Sequence, residues 1–525
     1  MSHGPKKKRT PIAFLFEYSG FLIAGAIAAL IWANVGKESY DEFVHLRLFG
    51  GADHHANHDA DHHPEATDEP TEEAKHGQDR PDGHPGEAEP AEQPKADDSH
   101  ADAHTPAGSE SHEDSETTAH ADGESKENHA HPHEHEADAK VPEMPTGYLA
   151  QIFYRLIHRP DGDGFPHGIT IHFFINDILM ALFFAIAGKE VWEALLPGGP
   201  LSNPKKAATP LMATLGGILG PVTVYLGGAY MTGTLDSLGN GWAIPCATDI
   251  AFSYLVARLV FGTGHPAIAF LLLLAIADDA AGLVILAIFY PSKELAPEFL
   301  LLTAAAIGIA FAFRRMKLHS FWWYLAIPGT LCWISFDLTG IHPALGLVPI
   351  IPCLPHAHTD LGIYAREEMK RNDTLNEFEH WFKNPVEVIL GLFSLVNAGV
   401  SLGGTGTGTW LVLAGLMLGK PIGITVMTFI AEKGMGLEMP AGMTYRHVVT
   451  LGMIAAIGFT VALFVSTAAY PGSGPVSEAV KMGALLSFAA AIVAPILARM
   501  LGVKPEPVLA DSKETPEKEL EVANV

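Results

Sequence analysis

Cysteine and basic residues are both scarce in this chain of 525 residues. The three cysteines, Cys246, Cys332 and Cys353, lie within or beside apolar stretches, so we expect no disulfide framework. Lys and Arg number 33 against 59 Asp and Glu, and the formal net charge of −26 excludes the basic footprint of a nucleic-acid-binding protein. No G-x-x-x-x-G-K-[ST] loop occurs, which fits a protein that needs neither ATP nor a cofactor.

One long segment lacks every residue type that builds a core. Residues 51–140 contain no Val, Ile, Leu, Met, Phe, Tyr, Trp or Cys, and they carry 26 acidic residues, 5 basic residues and 15 His. Such a segment has nothing to bury, so it cannot offset the entropy lost when its backbone is ordered. We predict that it is disordered, and the remaining sequence is correspondingly apolar.

Apolar runs fill the rest of the chain. Residues 267–290 and 449–469 have few or no charges over about 20 residues, the length that crosses a bilayer core. The first apolar run has no small-residue cleavage pattern, so we interpret it as a span and not as a signal peptide. These patterns exclude a soluble enzyme and predict an all-α polytopic membrane protein of about twelve transmembrane helices. The predicted spans lie near 16–35, 170–188, 209–230, 242–259, 267–290, 297–313, 321–338, 341–354, 386–400, 409–430, 449–468 and 477–500.

Basic residues fall on one side of these spans and predict the orientation. Because Lys and Arg favour the cytoplasmic side, both termini are expected in the cytoplasm and the acidic segment outside. The residues concerned are 6–9, Lys205, Lys206, Arg258, Arg314, Arg315, Lys317, Lys370, Arg371, Lys433 and Arg446. The predicted units are 1–50 (N-terminus, first helix and start of an external hairpin), 51–145 (acidic, His-rich insert), 146–169 (external amphipathic segment), 170–502 (helices 2–12) and 503–525 (cytoplasmic tail).

The residues that flank the insert suggest a hairpin. Residues 44–48 alternate apolar and polar side chains, and residues 168–171 can supply a returning strand, so the insert would extend the hairpin tip. Between them, the apolar residues of 149–156 share one helical face. This segment is either an amphipathic helix on the membrane surface or an ordinary packed helix.

An acidic pair lies in the middle of an apolar run. Asp278 and Asp279 are preceded by Leu271-Leu-Leu-Leu-Ala-Ile-Ala, and an ionisable residue inside a span costs about 2.5–3.5 kcal/mol. Desolvation and mutual repulsion favour a proton on at least one carboxylate near neutral pH. Oxygen ligands that hold either a proton or a small cation indicate ion–proton exchange; a neutral, hydrogen-bonded pair is the structural alternative.

A third acid follows a helix breaker. Asp249 comes directly after Thr248 and four residues after Pro245, and Pro removes a backbone hydrogen bond from a helix. Free backbone groups are tolerated in a membrane only where they line a cavity or are buried in protein. Asp249 would then balance the positive end of a half-helix, although a Thr-Asp pair that simply caps a helix is also consistent with the pattern.

A lone lysine lies in the tenth predicted span. Lys420 stands beside Pro421 and between Gly419 and Gly423, where it could pair with Asp278, balance a broken helix, or extend its ammonium group from a span end. The run that begins at Gly458 resembles a second break.

Five further ionisable residues are candidates for a pH response. Asp177 lies in the first turns of the second span, Glu190 follows the cytoplasmic end of that span, and His342 starts the eighth span. Glu379 and His380 are placed in a cytoplasmic loop. The His residues can titrate near neutral pH, but each is equally consistent with an interfacial polar residue.

Six motifs together resemble the NhaA-type sodium/proton antiporters, and the resemblance covers about 13–50 and 170–501. The motifs are Ile175-Asn-Asp-Ile-Leu-Met-Ala-Leu-Phe-Phe, Gly241-Trp-Ala-Ile-Pro-Cys-Ala-Thr-Asp-Ile-Ala-Phe, Ala275-Ile-Ala-Asp-Asp, Asn397-Ala-Gly-Val-Ser-Leu, Gly419-Lys-Pro-Ile-Gly and Gly458-Phe-Thr.

The resemblance implies a fold, an activity and a set of roles. Twelve helices would form inverted repeats, with the fourth and eleventh interrupted and crossing near the membrane midplane. Asp279 would be the principal sodium- and proton-binding carboxylate, Asp278 its partner, Thr248 and Asp249 the residues of the broken helix, and Lys420 the cation that pairs with Asp278. Exchange would be electrogenic and pH-regulated, would accept lithium, and would occur in a bacterial inner membrane with a homodimer as a possible assembly.

Two departures from the family pattern affect regulation and assembly. The sequence Lys189-Glu190-Val191-Trp192-Glu193 rearranges the charges where cytoplasmic pH control is expected. The insert grows from the hairpin that is expected to form the dimer contact.

Parts of the sequence suggest a second function for the insert and argue against an intramembrane enzyme. The His-rich insert could bind zinc or another transition metal weakly, or could serve only as a solvated acidic spacer. An intramembrane enzyme that uses paired Asp and magnesium would need separated acidic motifs, and this chain has one adjacent pair.

Overall fold

The computed structural model describes residues 20–49, 151, 169–202, 204–356, 373–472 and 474–505. All of them belong to one of the two units into which the chain divides, and the other unit is 53–143. The predictions for the insert, for the amphipathic segment apart from Gln151, and for the two tails therefore lie outside the described residues.

The described chain begins with helices and a strand pair. Helix α1 is Gly20–Val35, α2 is Lys37–Val44, and strands β1 and β2 are Arg47–Phe49 and Ile169–Thr170. The strands pair antiparallel, with Arg47 opposite Thr170, as the predicted hairpin requires, but the first strand begins at Arg47 because residues up to Val44 belong to α2.

Helices make up almost all of the remaining described residues. In chain order they are α3 (Ile171–Leu195), α4 (Pro204–Met231), α5 (Leu235–Cys246), α6 (Ile250–Phe261), α7 (Pro266–Phe289), α8 (Pro297–Arg315), α9 (321–339), α10 (Pro343–Cys353), α11 (Thr374–Asn397), α12 (Thr407–Gly434), α13 (Tyr445–Ala455), α14 (Phe459–Ala469) and α15 (Pro475–Met500).

Six helices of the described residues are long and apolar enough to cross a membrane, and there are up to eight spans if each of two bent pairs is one span. The six are α3, α4, α7, α8, α12 and α15, and α1 and α10 are shorter apolar helices. The prediction of a helical, multi-pass membrane protein is confirmed at this level.

The prediction for Glu379 and His380 was wrong. They were assigned to a loop before a span near 386–400, but α11 begins at Thr374 and includes both residues. Asp373 caps the helix by accepting a hydrogen bond from the Asn376 N–H at 2.9 Å. Hydropathy detects only the apolar half of such a helix, because the polar first turns lower the mean hydropathy of the window. The backbone hydrogen bonds of the polar turns are the same as those of the apolar turns. Glu190 likewise lies inside a helix, because α3 continues to Leu195.

Two helix pairs are sharply bent. Helices α5 and α6 meet at 55°, and α13 and α14 meet at 50°, each across a short break. The first break follows Pro245, and its linking residues Ala247 and Asp249 have extended backbones. The second break ends at Gly458. The breaks lie where Pro and Gly weaken a continuous helix.

Glycines bring α4 and α12 into close contact. A Cβ atom on Gly216 would lie 2.1 Å from the Gly423 carbonyl oxygen, and one on Gly220 would lie 2.2 Å from the Gly419 carbonyl oxygen. Both helices therefore use two small residues four positions apart, the spacing that lets helix backbones approach in membranes. Because Lys420 lies between the two glycines of α12, this packing fixes its position.

Candidate functional site

The two helix breaks satisfy each other's backbone groups. The Asp249 N–H donates to the Ile457 carbonyl at 2.7 Å, and the Thr248 hydroxyl oxygen, whose single proton is shared with Asp278, lies 3.2 Å from the Ala455 carbonyl oxygen. Each break leaves carbonyl groups without their helical partners, and in an apolar interior an unpaired carbonyl is costly. The breaks therefore stabilise one another and bring the ends of α5, α6, α13 and α14 together.

Asp278 and Lys420 form a fully buried ion pair beside these ends. The Lys420 ammonium group lies 2.9 Å from Asp278 Oδ2, and the side chains are 0% and 1% exposed. Thr248 donates its hydroxyl proton to the same carboxylate oxygen at 2.8 Å. Lys420 also donates to the Cys246 carbonyl at the end of α5. The lysine thus neutralises one carboxylate and the negative end of a half-helix, as the sequence suggested.

Asp279 has a different environment from Asp278. Asp279 is half-buried, but its Oδ1 atom is inaccessible to solvent and accepts no hydrogen bond from any described residue. A buried carboxylate oxygen without a donor is unfavourable unless a proton or a cation occupies it. Asp279 therefore offers an open oxygen ligand next to the occupied Asp278.

Asp249 combines the two roles that the sequence allowed. It caps α6, since its Oδ1 accepts a hydrogen bond from the Phe252 N–H at 3.1 Å. Its other carboxylate oxygen accepts a hydrogen bond from Thr460, in the first turn of α14. A carboxylate near the first turns of two helices is favoured by both helix dipoles, so Asp249 joins the bent pairs as well as ending one helix.

The arrangement is suited to a small hard cation or a proton. Its free ligands are carboxylate oxygens, the donor type that such ions prefer. Asp278, Asp279 and Asp249 provide three carboxyl groups, and the one ammonium group that contacts them among the described residues is already on Asp278. No group of three or more His, Cys, Asp or Glu within the described ranges is arranged to hold a metal ion.

Lys189 organises one group of the pH-response candidates. Its side chain is 4% exposed and forms ion pairs with Glu193 on α3 and with Glu379 on α11. Glu190 is adjacent in sequence and interacts electrostatically with these three residues and with Lys383. The rearranged charges noted in the sequence therefore form a buried link between two helices.

The other candidates lie elsewhere. His342 Nδ1 is 3.8 Å from Asp177 Oδ1, and His342 starts α10 by accepting a hydrogen bond from the Ala344 N–H. Asp177 and Glu190 are 13 residues apart on α3, which is roughly 20 Å of helix. His380 is exposed. The five candidates thus form two separate groups and one isolated surface residue.

Sequence reasoning missed an amide pair and a buried acid. Asn176 and Asn397 exchange hydrogen bonds, at 3.1 Å and 2.8 Å, between α3 and α11. Both residues lie in motifs that carry the family resemblance, and this was the sequence feature that could have identified them. Glu387 lies in the predicted span 386–400, and its Oε2 atom is buried without a hydrogen-bond partner among the described residues. The criterion that identified Asp279, an acid inside a span, also applied to it.

Known proteins match this chain over most of the described residues. Residues 148–498 match the family model described as Na+/H+ antiporter 1. A relative from Jannaschia sp. (strain CCS1), named Na(+)/H(+) antiporter NhaA, is 54% identical over 372 residues, which cover 66% of this chain and 88% of the relative. Relatives with the same name from Geotalea uraniireducens (strain Rf4) and Geobacter sulfurreducens are 48% identical over 350 residues and 44% identical over 362 residues. They cover 66% and 69% of this chain, and 90% and 92% of their own lengths. The chain therefore belongs to the NhaA-type Na+/H+ antiporter family.

Proposed function

We propose that this protein exchanges sodium for protons across a membrane, and that both ions compete for the Asp278 and Asp279 carboxylates. The observation that carries the proposal is the Asp279 Oδ1 atom, which is buried without a hydrogen-bond partner among the described residues, beside the paired Asp278. The names of the relatives support the same two ions.

Competition for one oxygen couples the two ions. A sodium ion on Asp279 replaces the proton that otherwise neutralises this carboxylate, so the two ligands exclude each other. From the cytoplasmic face sodium displaces protons, the helices rearrange, and on the outer face protons displace sodium. The broken helices with Thr248 and Asp249 supply the end groups around the site, and Lys420 responds to the charge on Asp278.

The finer features of the proposal follow the family resemblance. Twelve helices form inverted repeats, and the two bent pairs cross near the membrane midplane. Exchange is electrogenic, with more protons moving inward than sodium ions outward, and lithium is accepted. The protein lies in a bacterial inner membrane with both termini in the cytoplasm, its His-rich insert in the periplasm, and a homodimer as its assembly.

Regulation by pH is assigned to two separate groups. The first contains Lys189, Glu190 and Glu379, which link α3 to α11 and change their mutual attraction when a carboxylate gains a proton. The second contains Asp177 and His342 at the other end of α3. His380, which is exposed on α11 and outside both groups, is a separate candidate.

Proteoliposomes that contain the full chain test the exchange. A pH gradient is imposed, sodium, lithium, potassium or zinc is added in turn, and the dequenching of a pH-sensitive dye is followed. Sodium and lithium are expected to cause dequenching with the wild type but not with Asp279→Asn. Glu377→Gln is the matched control, because Glu377 is an exposed acid on α11.

Either of two results would refute the proposal. Undiminished sodium exchange by Asp279→Asn would remove the carboxylate pair from the mechanism. A response to zinc alone would favour metal handling by the His-rich insert, whose residues lie outside the described ranges. Equal amounts of wild type and variants in the vesicles ensure that a lost signal reflects lost exchange.

A further inference from the structure

We propose that Glu387 is an additional carboxylate of the ion pathway, which attracts the sodium ion and holds it transiently before it reaches Asp279. This inference rests on the proposed sodium/proton exchange. It concerns an acid outside the six motifs that carry the family resemblance. It rests on a buried carboxylate oxygen without a hydrogen-bond partner among the described residues, on helix α11, which packs against α3 and against α14.

The immediate surroundings give Glu387 no ion pair among the described residues. It follows Val386 in the apolar half of α11, and its Oε2 atom is buried and accepts no hydrogen bond from a described residue. Lys383, which is exposed one turn earlier on the same helix, interacts with Glu387 electrostatically but forms no ion pair with it. Val386 and Leu390, on the same helix, are buried apolar residues.

The wider surroundings connect Glu387 to the candidate site. Helix α11 packs against α3, which carries Glu190, and against α14, which carries Thr460. Thr460 in turn donates a hydrogen bond to Asp249. Glu387 interacts electrostatically with Asp249, and Asp279 interacts with both Asp249 and Glu190. These interactions connect Glu387 with the acids of α3 and of the helix breaks.

The charges of this region are unbalanced within the described residues. Four acids, Glu190, Glu387, Asp249 and Asp279, have no ion pair of their own in the structure. Lys420 forms its ion pair with Asp278, and Lys189 forms ion pairs with Glu193 and Glu379. Any of these carboxylates that is ionised raises the local concentration of mobile cations, and exposed Lys383 opposes only the charges of Glu387 and Glu190. A carboxylate with a free oxygen beside the path is therefore suited to receive one.

The test compares Glu387→Gln with the wild type in proteoliposomes at fixed pH while the sodium concentration is varied. Because Gln keeps the shape and loses the charge, the apparent KM for sodium should rise on the order of tenfold, with the maximum rate nearly unchanged. Glu387→Asp restores the charge and should recover part of the lost affinity. Glu377→Gln, exposed on the same helix, should behave like the wild type.

The possible outcomes separate this inference from the function on which it rests. If the wild type does not exchange sodium for protons, the proposed function itself fails. If the wild type exchanges and Glu387→Gln has an unchanged KM, only the role of Glu387 fails. A fall in maximum rate that Glu387→Asp does not relieve would show a structural role instead. Comparable amounts of monodisperse protein in detergent exclude misfolding as the cause.

Discussion

Two regions of this protein each place a lysine among acidic side chains, in different arrangements. At the helix breaks, Lys420 pairs with Asp278 and leaves the Asp279 Oδ1 atom without a hydrogen-bond donor among the described residues. Between α3 and α11, Lys189 pairs with both acids, Glu193 and Glu379. Their side chains are 22% and 36% exposed, whereas that of Asp278 is 1% exposed.

The two regions differ in how much carboxylate charge is left without a positive partner. Glu193 and Glu379 are partly exposed and share Lys189, so both carboxylates are compensated and link the two helices. The pair of aspartates is buried with a lysine that serves one of them, so a second positive charge must come from a proton or a metal cation. The same residue types thus form a structural contact in one place and an open ion site in the other.

The largest effect on stability is expected for Lys420→Ala. The substitution leaves Asp278 buried without its counter-ion, and removing one partner of a buried pair costs about 3–5 kcal/mol. Thermal unfolding in detergent should therefore occur at a much lower temperature than in the wild type. The double variant Asp278→Asn, Lys420→Met removes both charges and should recover most of the loss. Equal instability of the single and double variants would contradict the ion-pair explanation.

A smaller effect is expected for Lys189→Met. The two glutamates that lose their lysine are partly exposed and can be hydrated, so the loss should be ~1–2 kcal/mol, measured by the same unfolding experiment. The exchange site is untouched, so the maximum rate in proteoliposomes at the optimal pH should stay close to that of the wild type. The pH dependence of exchange should shift, because Lys189 belongs to the first proposed pH-response group. An unchanged pH dependence would remove this group from the proposed regulation.

The smallest effect on stability is expected for Asp279→Asn, the variant that should abolish exchange. Because Asp279 Oδ1 has no hydrogen-bond donor to lose, the free energy of unfolding should change by less than about 1 kcal/mol. A stable but inactive variant would separate the function of Asp279 from the fold. Strong destabilisation would instead indicate a structural bond to this carboxylate and would remove the distinction between the two regions.

Part of the site was predictable from local sequence. Asp278, Asp279, Asp249 and Lys420 stand out because a charge in an apolar run is expensive, and the structure brings all four to the helix breaks. The hydrogen bonds between Asn176 and Asn397 could not be predicted from the positions of these two residues in the chain, because that contact depends on how α3 and α11 meet. Glu387 met the same criterion as Asp279 but was overlooked beside the motifs.

The limits of the helices were less predictable than their presence. The polar first turns of α11 hid Glu379 and His380 from an apolar window, because hydropathy reports burial in lipid and not backbone hydrogen bonding. The breaks after Pro245 and before Phe459 were visible as Pro and Gly. The bends of 55° and 50° were not, because the angle depends on the helices against which each half packs.

By itself, the sequence determined that this chain is a helical membrane protein with costly charges inside its apolar runs, since both properties follow from local composition. Only the tertiary structure decided which charges compensate one another. Lys420 and Lys189 each stand near acids in three dimensions, and the close packing of α4 on α12 places the first lysine on Asp278. Residues far apart in the chain meet through helix packing, so the free carboxylate oxygen of Asp279 is a property of the fold.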